Sequence, residues 1–197
     1  MPEFRLARES DAAAVQAIYA PFCRDNSHVS FEVEPPTIEE IARRIAWTLP
    51  QFPWLVAEDR GEVLGYAYAS THNERAAYRW SANAAIYLGE GARRKGVGRA
   101  LYTSLFSVLR LQGYYSVFAG ITLPNPASEG LHRAMGFQAV GIYRSVGYKA
   151  GSWRDTAWFC LPLREPAANP VPPRPLPAVV DDPGWEPALR SGFAHPG

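Results

Sequence analysis

Apolar positions along the chain recur at two spacings, and these spacings predict an order of strands and helices. Short apolar runs bounded by glycine, proline or charged residues are typical of strands, whereas apolar positions three and four residues apart are typical of helices with one buried face. The predicted strands are Phe4–Ala7, Trp54–Asp59, Val63–Ser70, Ala84–Leu88, Ser116–Ile121, Gln138–Val146 and Arg154–Leu163.

Four helices are predicted between these strands, and each has an apolar face. The inward positions are Val15, Ile18 and Tyr19 in the first helix, Ile41, Ile45 and Leu49 in the second, Leu101, Leu105, Val108 and Leu109 in the third, and Leu131, Ala134 and Met135 in the fourth. The order β-α-α-β-β-β-α-β-α-β-β predicts an α/β (α+β) fold with a mixed central sheet of about seven strands, antiparallel in its first half and βαβ in its second.

The most informative stretch is Trp80–Gly113, where an apolar strand is followed by a basic turn and an amphipathic helix. The turn reads Arg93-Arg94-Lys95-Gly96-Val97-Gly98. The first N–H groups of a helix have no internal partners and glycine allows close approach, so such a turn can hold a pyrophosphate. It is neither a Walker loop nor a Gly-x-Gly-x-x-Gly dinucleotide turn. A solvated helix cap would show the same residues.

Composition narrows the class of protein. The chain has 197 residues and a net charge of +1, which suits one domain with an appendage and argues against a nucleic-acid partner. Cys23 and Cys160 form neither a metal-ligand spacing nor a disulfide framework. No leader or membrane-length apolar run is visible, so we expect a cytoplasmic protein without a metal or a membrane partner.

The composition changes after Arg164. Half of the 18 prolines lie between Pro166 and Gly197. Proline removes backbone donors and favours an extended backbone, so we predict a domain over 1–164 and a proline-rich, disordered tail over 165–197. Two alternatives are that Trp185 docks back on the domain and that the prolines bind a partner module.

Several motifs together resemble the phosphinothricin and methionine sulfoximine N-acetyltransferases of the GNAT superfamily. The turn matches Arg/Gln-x-x-Gly-x-Gly/Ala, and further matching segments between about Pro2 and Leu163 are Ser30–Pro35, Pro53–Glu58, Ala77–Trp80, Ile86–Leu88, Leu123–Asn125, Leu131–Phe137 and Gly147–Asp155. The resemblance implies a GNAT fold and a homodimer. It also implies direct transfer of an acetyl group from acetyl-CoA to the amine of a small amino-acid-like substrate, without a protein nucleophile.

The resemblance also implies which residues hold acetyl-CoA. The backbone of Ile86, Tyr87 and Leu88 would pair with the pantetheine amides like an added strand. The pyrophosphate would lie on the turn formed by Arg93, Arg94, Lys95, Gly96, Val97, Gly98 and Arg99. Asn125 and Ser128 would contact the cofactor near its thiol arm, although Asn125 is equally suited to cap a helix.

The position of the proton acceptor departs from the family, whose members carry Glu three residues before the Ile-Tyr-Leu segment. Here that residue is Asn83, and an amide cannot accept a proton at neutral pH. Freeing a Lys-like amine with a pKa of about 10.4 at pH 7 costs about 4.6 kcal/mol. Asn83 could still orient a water or the amine. His132, which matches the family's histidine, is the remaining candidate base, and a packing histidine is the alternative.

Acceptor binding is implied for Phe31, Arg75 and Tyr78. An arginine can fork onto a carboxylate, but a solvated loop arginine is as plausible an interpretation. Phe31 and Trp80 could wall the pocket or belong to the core, and Glu32 could change the pocket's charge. His28, His72 and His195 are interpreted as incidental.

Two other functions stay open at this point. Asn83 in place of Glu would suit a non-catalytic acyl-CoA-binding or sensing module. The proline-rich tail would suit an adaptor that carries a vestigial enzyme domain.

Overall fold

The computed structural model describes residues 2–24 and 27–193, so His195 and the predicted start of a loop at Asn26 lie outside the described residues. Its strands are β1 (Glu3–Leu6), β2 (Trp54–Asp59), β3 (Glu62–Thr71), β4 (Ser81–Leu88), β5 (Ser116–Thr122), β6 (Gln138–Lys149) and β7 (Ser152–Pro162). They form one seven-stranded sheet in the order β1-β2-β3-β4-β5-β7-β6. The predicted mixed α/β sheet is therefore confirmed.

Among the described residues, six helices accompany the sheet. They are α1 (Ala12–Cys23), α2 (Ile38–Thr48), α3 (Val97–Gln112), α4 (Pro126–Ala134), α5 (Pro177–Val180) and α6 (Trp185–Arg190). The first four are the predicted helices, and α5 and α6 lie in the segment that was expected to be disordered. The sequence explains the start of α2, since the Thr37 hydroxyl accepts a hydrogen bond from the Glu40 N–H at 3.1 Å.

Two apolar cores form, one with each group of helices. Val15, Ile41 and Ile45 from α1 and α2 pack with Trp54 and Tyr66 of the sheet. The other core contains the predicted inward face of α3, whose four residues are fully buried: Leu101, Leu105, Val108 and Leu109. The periodicity of α3 was thus sufficient to predict how it packs.

The sheet opens between β4 and β5, the one parallel pair among the described strands. The two strands pair only where Ser81–Asn83 meet Ser116–Phe118, and β5 then continues against β7 instead. The remainder of β4 pairs with β3 alone. This divergence leaves a cleft between β4 and β5, and the N-terminus of α3 lies close to the end of β4.

The disorder predicted for the tail over 165–197 is wrong for its described part, which ends at residue 193. Leu176, Val179 and Trp185 are buried in the same core as α3. The 3-10 turn Ser191–Phe193 follows α6, and the Phe193 ring stacks on Phe4 with centroids 4.2 Å apart. The prolines of this segment are interspersed with apolar residues that fill the groove along α3, and this burial outweighs the extended preference of proline. The alternative in which Trp185 docks on the domain is confirmed.

No helix within residues 2–24 and 27–193 is both long and apolar enough to cross a membrane. Within the same ranges, no group of three or more His, Cys, Asp or Glu side chains is placed to hold a metal ion.

Candidate active site

The cleft between β4 and β5 contains two adjoining cavities. The inner cavity, of about 70 Å³, reaches Asn125, Ser128 and His132 at the start of α4. The outer cavity, of about 430 Å³, reaches Phe31 and Asn83 on the other side. Both are lined by Val29, Ala84, Ala85, Tyr87, Gly120 and Thr122. A molecule in one cavity would therefore meet a molecule in the other at the middle of β4.

The predicted cofactor strand forms one wall of the cleft. Ile86, Tyr87 and Leu88 pair with Ala67, Tyr66 and Gly65 of β3, respectively. Their other edge faces the gap left by β5, because the β4–β5 ladder ends at Asn83. An unpaired edge of this kind can bind a ligand that carries amide groups.

The basic turn leads directly into α3. Gly96 adopts a left-handed conformation with φ 79°, and the first helical bond runs from the Ala100 N–H to the Gly96 carbonyl at 3.0 Å. The N–H groups of Val97, Gly98 and Arg99 precede that bond and stand at the positive end of the helix dipole. A Cβ on Gly98 would lie 3.1 Å from the Leu88 side chain. Glycine therefore lets α3 begin against β4.

The four basic side chains of the turn differ in their surroundings. Arg93 Nε donates to the Leu88 carbonyl at 3.3 Å, and its guanidinium lies 5.3 Å from the centre of the Phe22 ring. Arg99 donates to the Ala134 carbonyl at 3.2 Å. Arg94 and Lys95 are exposed to solvent. Arg93 and Arg99 are held by these contacts, so Arg94 and Lys95 are the side chains best placed to move onto an anion.

Asn125 caps α4, as one of its two interpretations required. Its Oδ1 accepts a hydrogen bond from the Ser128 N–H at 3.1 Å. Both residues nevertheless line the inner cavity. The cap and a cofactor contact are therefore compatible.

His132 is a buried residue with both ring nitrogens hydrogen-bonded. Nδ1 lies 2.8 Å from the Ser128 carbonyl, which can only accept, so Nδ1 carries the proton. Nε2 must then accept from the Tyr102 hydroxyl at 3.2 Å. Burial lowers the pKa of His132, which is only 3% exposed, and keeps the ring neutral. This geometry favours the interpretation as a packing residue, and the role of His132 as a base stays a prediction.

Asn83 lines the outer cavity but is not an isolated amide. Its Nδ2 donates to the Thr71 carbonyl at 3.2 Å, and its Oδ1 lies 2.8 Å from Nδ1 of His72. His72, interpreted as incidental, is thus paired with the residue at the expected base position. The pairing follows from the β3–β4 register, in which Ser70 lies opposite Asn83. The spacing of the sequence motifs does not predict this hydrogen bond.

The residues expected at the acceptor are only partly brought together. Phe31 lines the outer cavity and packs on Gly147, where an added Cβ would lie 2.7 Å from its ring. Arg75 is exposed just before the 3-10 turn Ala76–Tyr78, and the Tyr78 ring centre is 5.9 Å from that of His72. Neither Arg75 nor Tyr78 is among the described residues that line the outer cavity.

Two neighbouring residues also differ from expectation. Trp80 does not wall the cavity, because its indole N–H donates to the Val171 carbonyl of the tail at 2.9 Å. Glu32 pairs with Arg44 at 2.6 Å and accepts from the Tyr19 hydroxyl at 3.1 Å. Its charge is therefore balanced.

A buried lysine that the sequence did not single out positions the cleft-facing loop. Lys149 Nζ donates to the carbonyls of Cys23 at 2.9 Å and Ser30 at 2.8 Å, and also to that of Glu32. These bonds tie the loop between α1 and α2 to the β6–β7 hairpin. They hold Val29 where it lines both cavities.

Comparison with known proteins places these features in a family. Residues 4–158 match the model of the acetyltransferase (GNAT) domain. The phosphinothricin N-acetyltransferase of Streptomyces viridochromogenes is 39% identical over 90% of this chain and 94% of its own length. The L-methionine sulfoximine/L-methionine sulfone acetyltransferase of Salmonella typhimurium is 31% identical over 83% of this chain and 96% of its own. A crystal structure of a phosphinothricin acetyltransferase from Sinorhizobium meliloti in complex with AcCoA superposes with a TM-score of 0.79 at 35% identity, covering 87% of this chain and 96% of that one. The superposition confirms the predicted fold.

Proposed function

The chain belongs to the GNAT family and is an acetyl-CoA-dependent N-acetyltransferase, and we propose that its acceptor is the amine of a small amino-acid-like molecule of the phosphinothricin or methionine sulfoximine type. Relatives named for these substrates support the choice of acceptor. The single observation that carries the proposal is the pair of cavities that meet along Ala84, Ala85 and Tyr87. This arrangement lets a thioester and an amine approach one another from opposite sides of β4.

The donor side of the cleft fits acetyl-CoA. The edge of Ile86, Tyr87 and Leu88 that faces away from β3 is complementary to the amides of the pantetheine arm, although the Leu88 carbonyl also accepts from Arg93 Nε. The N–H groups of Val97, Gly98 and Arg99 and the exposed Arg94 and Lys95 suit a pyrophosphate, because a helix N-terminus favours an anion. Asn125 and Ser128 extend this contact along the inner cavity.

The acceptor side fits a compact polar molecule with an aliphatic body. The outer cavity, at about 430 Å³, has the volume of a small-ligand site. Phe31 and Trp158 supply apolar walls, and Ser70, Asn83 and Thr156 supply polar groups. In this proposal Arg75 forks onto the acceptor carboxylate and Tyr78 packs beside it, which requires the exposed loop between β3 and β4 to close over the cavity.

The reaction we propose is a direct transfer. The amine nitrogen attacks the thioester carbonyl carbon, the C–N bond forms as the C–S bond breaks, and the sulfur leaves as a thiol after taking a proton. A backbone N–H at the free edge of β4 stabilises the developing oxyanion, as preorganised donors do in other acyl transfers. No covalent acyl-enzyme is required.

We also propose that the protein acts as a homodimer. The edge strand β6 and the start of β7 expose the apolar residues Val140, Ile142, Tyr143, Val146, Tyr148 and Trp153. A long exposed apolar edge strand is normally covered by a partner. Tyr143 and Val146 also line the outer cavity, so a partner on β6 would complete its wall. Sedimentation of the wild type and of Ile142→Lys tests this, with a dimer and a monomer as the respective expectations.

The alternative function is a non-catalytic acyl-CoA-binding or sensing module. A thiol-release assay with acetyl-CoA separates the two, using phosphinothricin, methionine sulfoximine and methionine sulfone as acceptors. Their decarboxylated amines serve as matched controls. We expect turnover with the amino acids and little with the controls. Binding of acetyl-CoA by calorimetry without turnover on any amine would favour the sensing module, and absence of binding would contradict both functions.

A further inference from the structure

Resting on the proposed transfer, we propose that His72, oriented by Asn83, accepts the proton of the acceptor ammonium at its Nε2 atom. This pair would then do the work of the carboxylate that the sequence lacks at position 83. The inference starts from the hydrogen bond between His72 Nδ1 and Asn83 Oδ1 at 2.8 Å.

The hydrogen bonds of Asn83 determine which nitrogen of His72 is available. Because Asn83 Nδ2 donates to the Thr71 carbonyl, its Oδ1 is the atom that faces the imidazole. An amide oxygen can only accept, so His72 Nδ1 carries the proton and donates it. In the neutral ring the lone pair therefore lies on Nε2. A histidine oriented by a third group in this way is the usual arrangement of a general base.

The ring is also held in place by aromatic contacts. It stacks on Phe118 with centroids 4.2 Å apart and an interplanar angle of 20°, and it meets Trp158 edge-on at 6.4 Å. The titratable side chains that face it are phenols, Tyr78 at 5.9 Å between ring centres and Tyr143, which lines the same cavity. The charged residues nearest in its own loop are Glu74 and Arg75. Within residues 2–24 and 27–193, these contacts place aromatic rings and no carboxylate against the imidazole.

The position of His72 gives it access to the acceptor. It lines a cavity of about 330 Å³ that shares Tyr143 and Trp158 with the outer cavity. Asn83 itself lines the outer cavity, so the pair joins the two spaces. His72 itself lines only the neighbouring cavity, so in this proposal the proton of an acceptor in the outer cavity passes to Nε2 through one water, which is sufficient for general base catalysis.

His132 is less suited to the same task. Its Nε2 lone pair accepts from the Tyr102 hydroxyl, and the ring is almost fully buried. By contrast, the described residues form no hydrogen bond to Nε2 of His72, and its side chain is partly exposed. Of the two histidines, only His72 can take up a proton and return it to solvent without rearrangement.

The proton balance of the proposed step is complete. The ammonium gives one proton to Nε2, and the free amine attacks the thioester carbonyl carbon. As the C–N bond forms and the C–S bond breaks, the second proton leaves the nitrogen for the departing sulfur, which yields the thiol. The imidazolium then releases its proton to solvent, so each turnover liberates one proton.

The test is the pH dependence of kcat/KM for the acceptor in four variants. His72→Phe keeps the aromatic stack but has no nitrogen, His72→Ala leaves space for added imidazole, and His132→Gln tests the other histidine. Glu74→Ala is the matched control in the same loop. We expect His72→Phe to lose about 10²–10⁴-fold in kcat/KM at pH 7, as for removal of a general base, and to lose the fall in rate on the acid side. Added imidazole should restore part of the activity of His72→Ala, and Glu74→Ala should behave as the wild type.

The outcomes separate this inference from the proposed function. An unchanged rate and pH profile in His72→Phe would overturn the inference while leaving the transferase intact. Loss of the acid-side fall in His132→Gln, but not in His72→Phe, would assign the base to His132 and also overturn it. If the wild type turns over no amine, the proposed function fails first and the inference fails with it. Calorimetry with acetyl-CoA should give the wild-type affinity for His72→Phe, His72→Ala and Glu74→Ala, which excludes misfolding as the cause of a lost rate in these variants.

Discussion

Removing the Trp185 side chain should destabilise the whole domain, although it lies beyond the residues that resemble the family. The indole is 7% exposed and packs in the core that contains α3. Truncation of a buried large aromatic to alanine typically costs about 3–5 kcal/mol. Domains of this kind are stable by about 5–15 kcal/mol in total. The variant Trp185→Ala should therefore lose a large fraction of its folding free energy.

Urea unfolding followed by far-ultraviolet circular dichroism measures this loss without relying on tryptophan fluorescence. With a slope of about 2 kcal/mol per molar urea, a loss of 4 kcal/mol lowers the midpoint by about 2 M. Val171→Ala is the matched control, because Val171 lies in the same segment and is 79% exposed. Its free energy of unfolding should change by no more than about 0.5 kcal/mol.

A midpoint for Trp185→Ala within about 0.5 M of the Val171→Ala value would refute this reasoning. The segment after Arg164 would then be a peripheral appendage, as the proline content predicted. The adaptor hypothesis, in which the tail serves a partner and not the fold, would regain its basis.

Three further predictions concern His132, Lys149 and Gly147. Burial holds the pKa of His132 below its ordinary 6.5, so the unfolded chain binds a proton at this residue more readily than the folded chain does. The stability that depends on neutral His132 should therefore be fully present above about pH 6.5 and should fall as the pH decreases. His132→Gln should cost about 1–3 kcal/mol at pH 7.5 and show a smaller fall in urea midpoint between pH 7.5 and 5, and an equal fall would contradict the assignment. Lys149→Met should lower the free energy of unfolding, measured by heat or urea, by about 2–5 kcal/mol, because three carbonyls lose their ammonium donor. A loss no larger than that of Lys95→Met would argue against a stabilising role for these three hydrogen bonds. Gly147→Ala should push the Phe31 ring away and raise the acceptor KM by about tenfold or more with the acetyl-CoA KM unchanged, whereas equal changes in both would place Phe31 outside the acceptor site.

Local sequence patterns predicted most of the fold. The strands and α3 follow from alternation and from the spacing of Leu101, Leu105 and Leu109, because burial of one face is a local property of a strand or helix. The glycine turn before α3 could also be located, since Gly96 and Gly98 are needed by backbone geometry at that point, and its role in holding the cofactor stays a prediction. These features depend on neighbours in the chain.

The remaining features depend on contacts between distant segments. The bond between His72 and Asn83 joins residues on either side of the loop between β3 and β4, and Lys149 reaches carbonyls more than a hundred positions earlier. Trp80 binds the tail at Val171 rather than the cleft. The proline content predicted disorder, although the same segment contains the apolar residues that pack on α3. No spacing rule records such pairings, because strand register and loop packing determine them.

The three hydrogen bonds of Lys149 should make its amine much less reactive than an exposed lysine. The sequence contains two lysines, Lys95 and Lys149, and they differ in solvent exposure and in hydrogen bonding. Lys95 stands in water at the mouth of the donor side, whereas every N–H of Lys149 is committed to a carbonyl. An amine-directed label applied to the native protein should therefore modify Lys95, and bound acetyl-CoA should shield Lys95 from the label. Lys149 should take up the label only when the loop over the cleft has detached, so a single mass spectrum would report occupancy at one lysine and loop opening at the other.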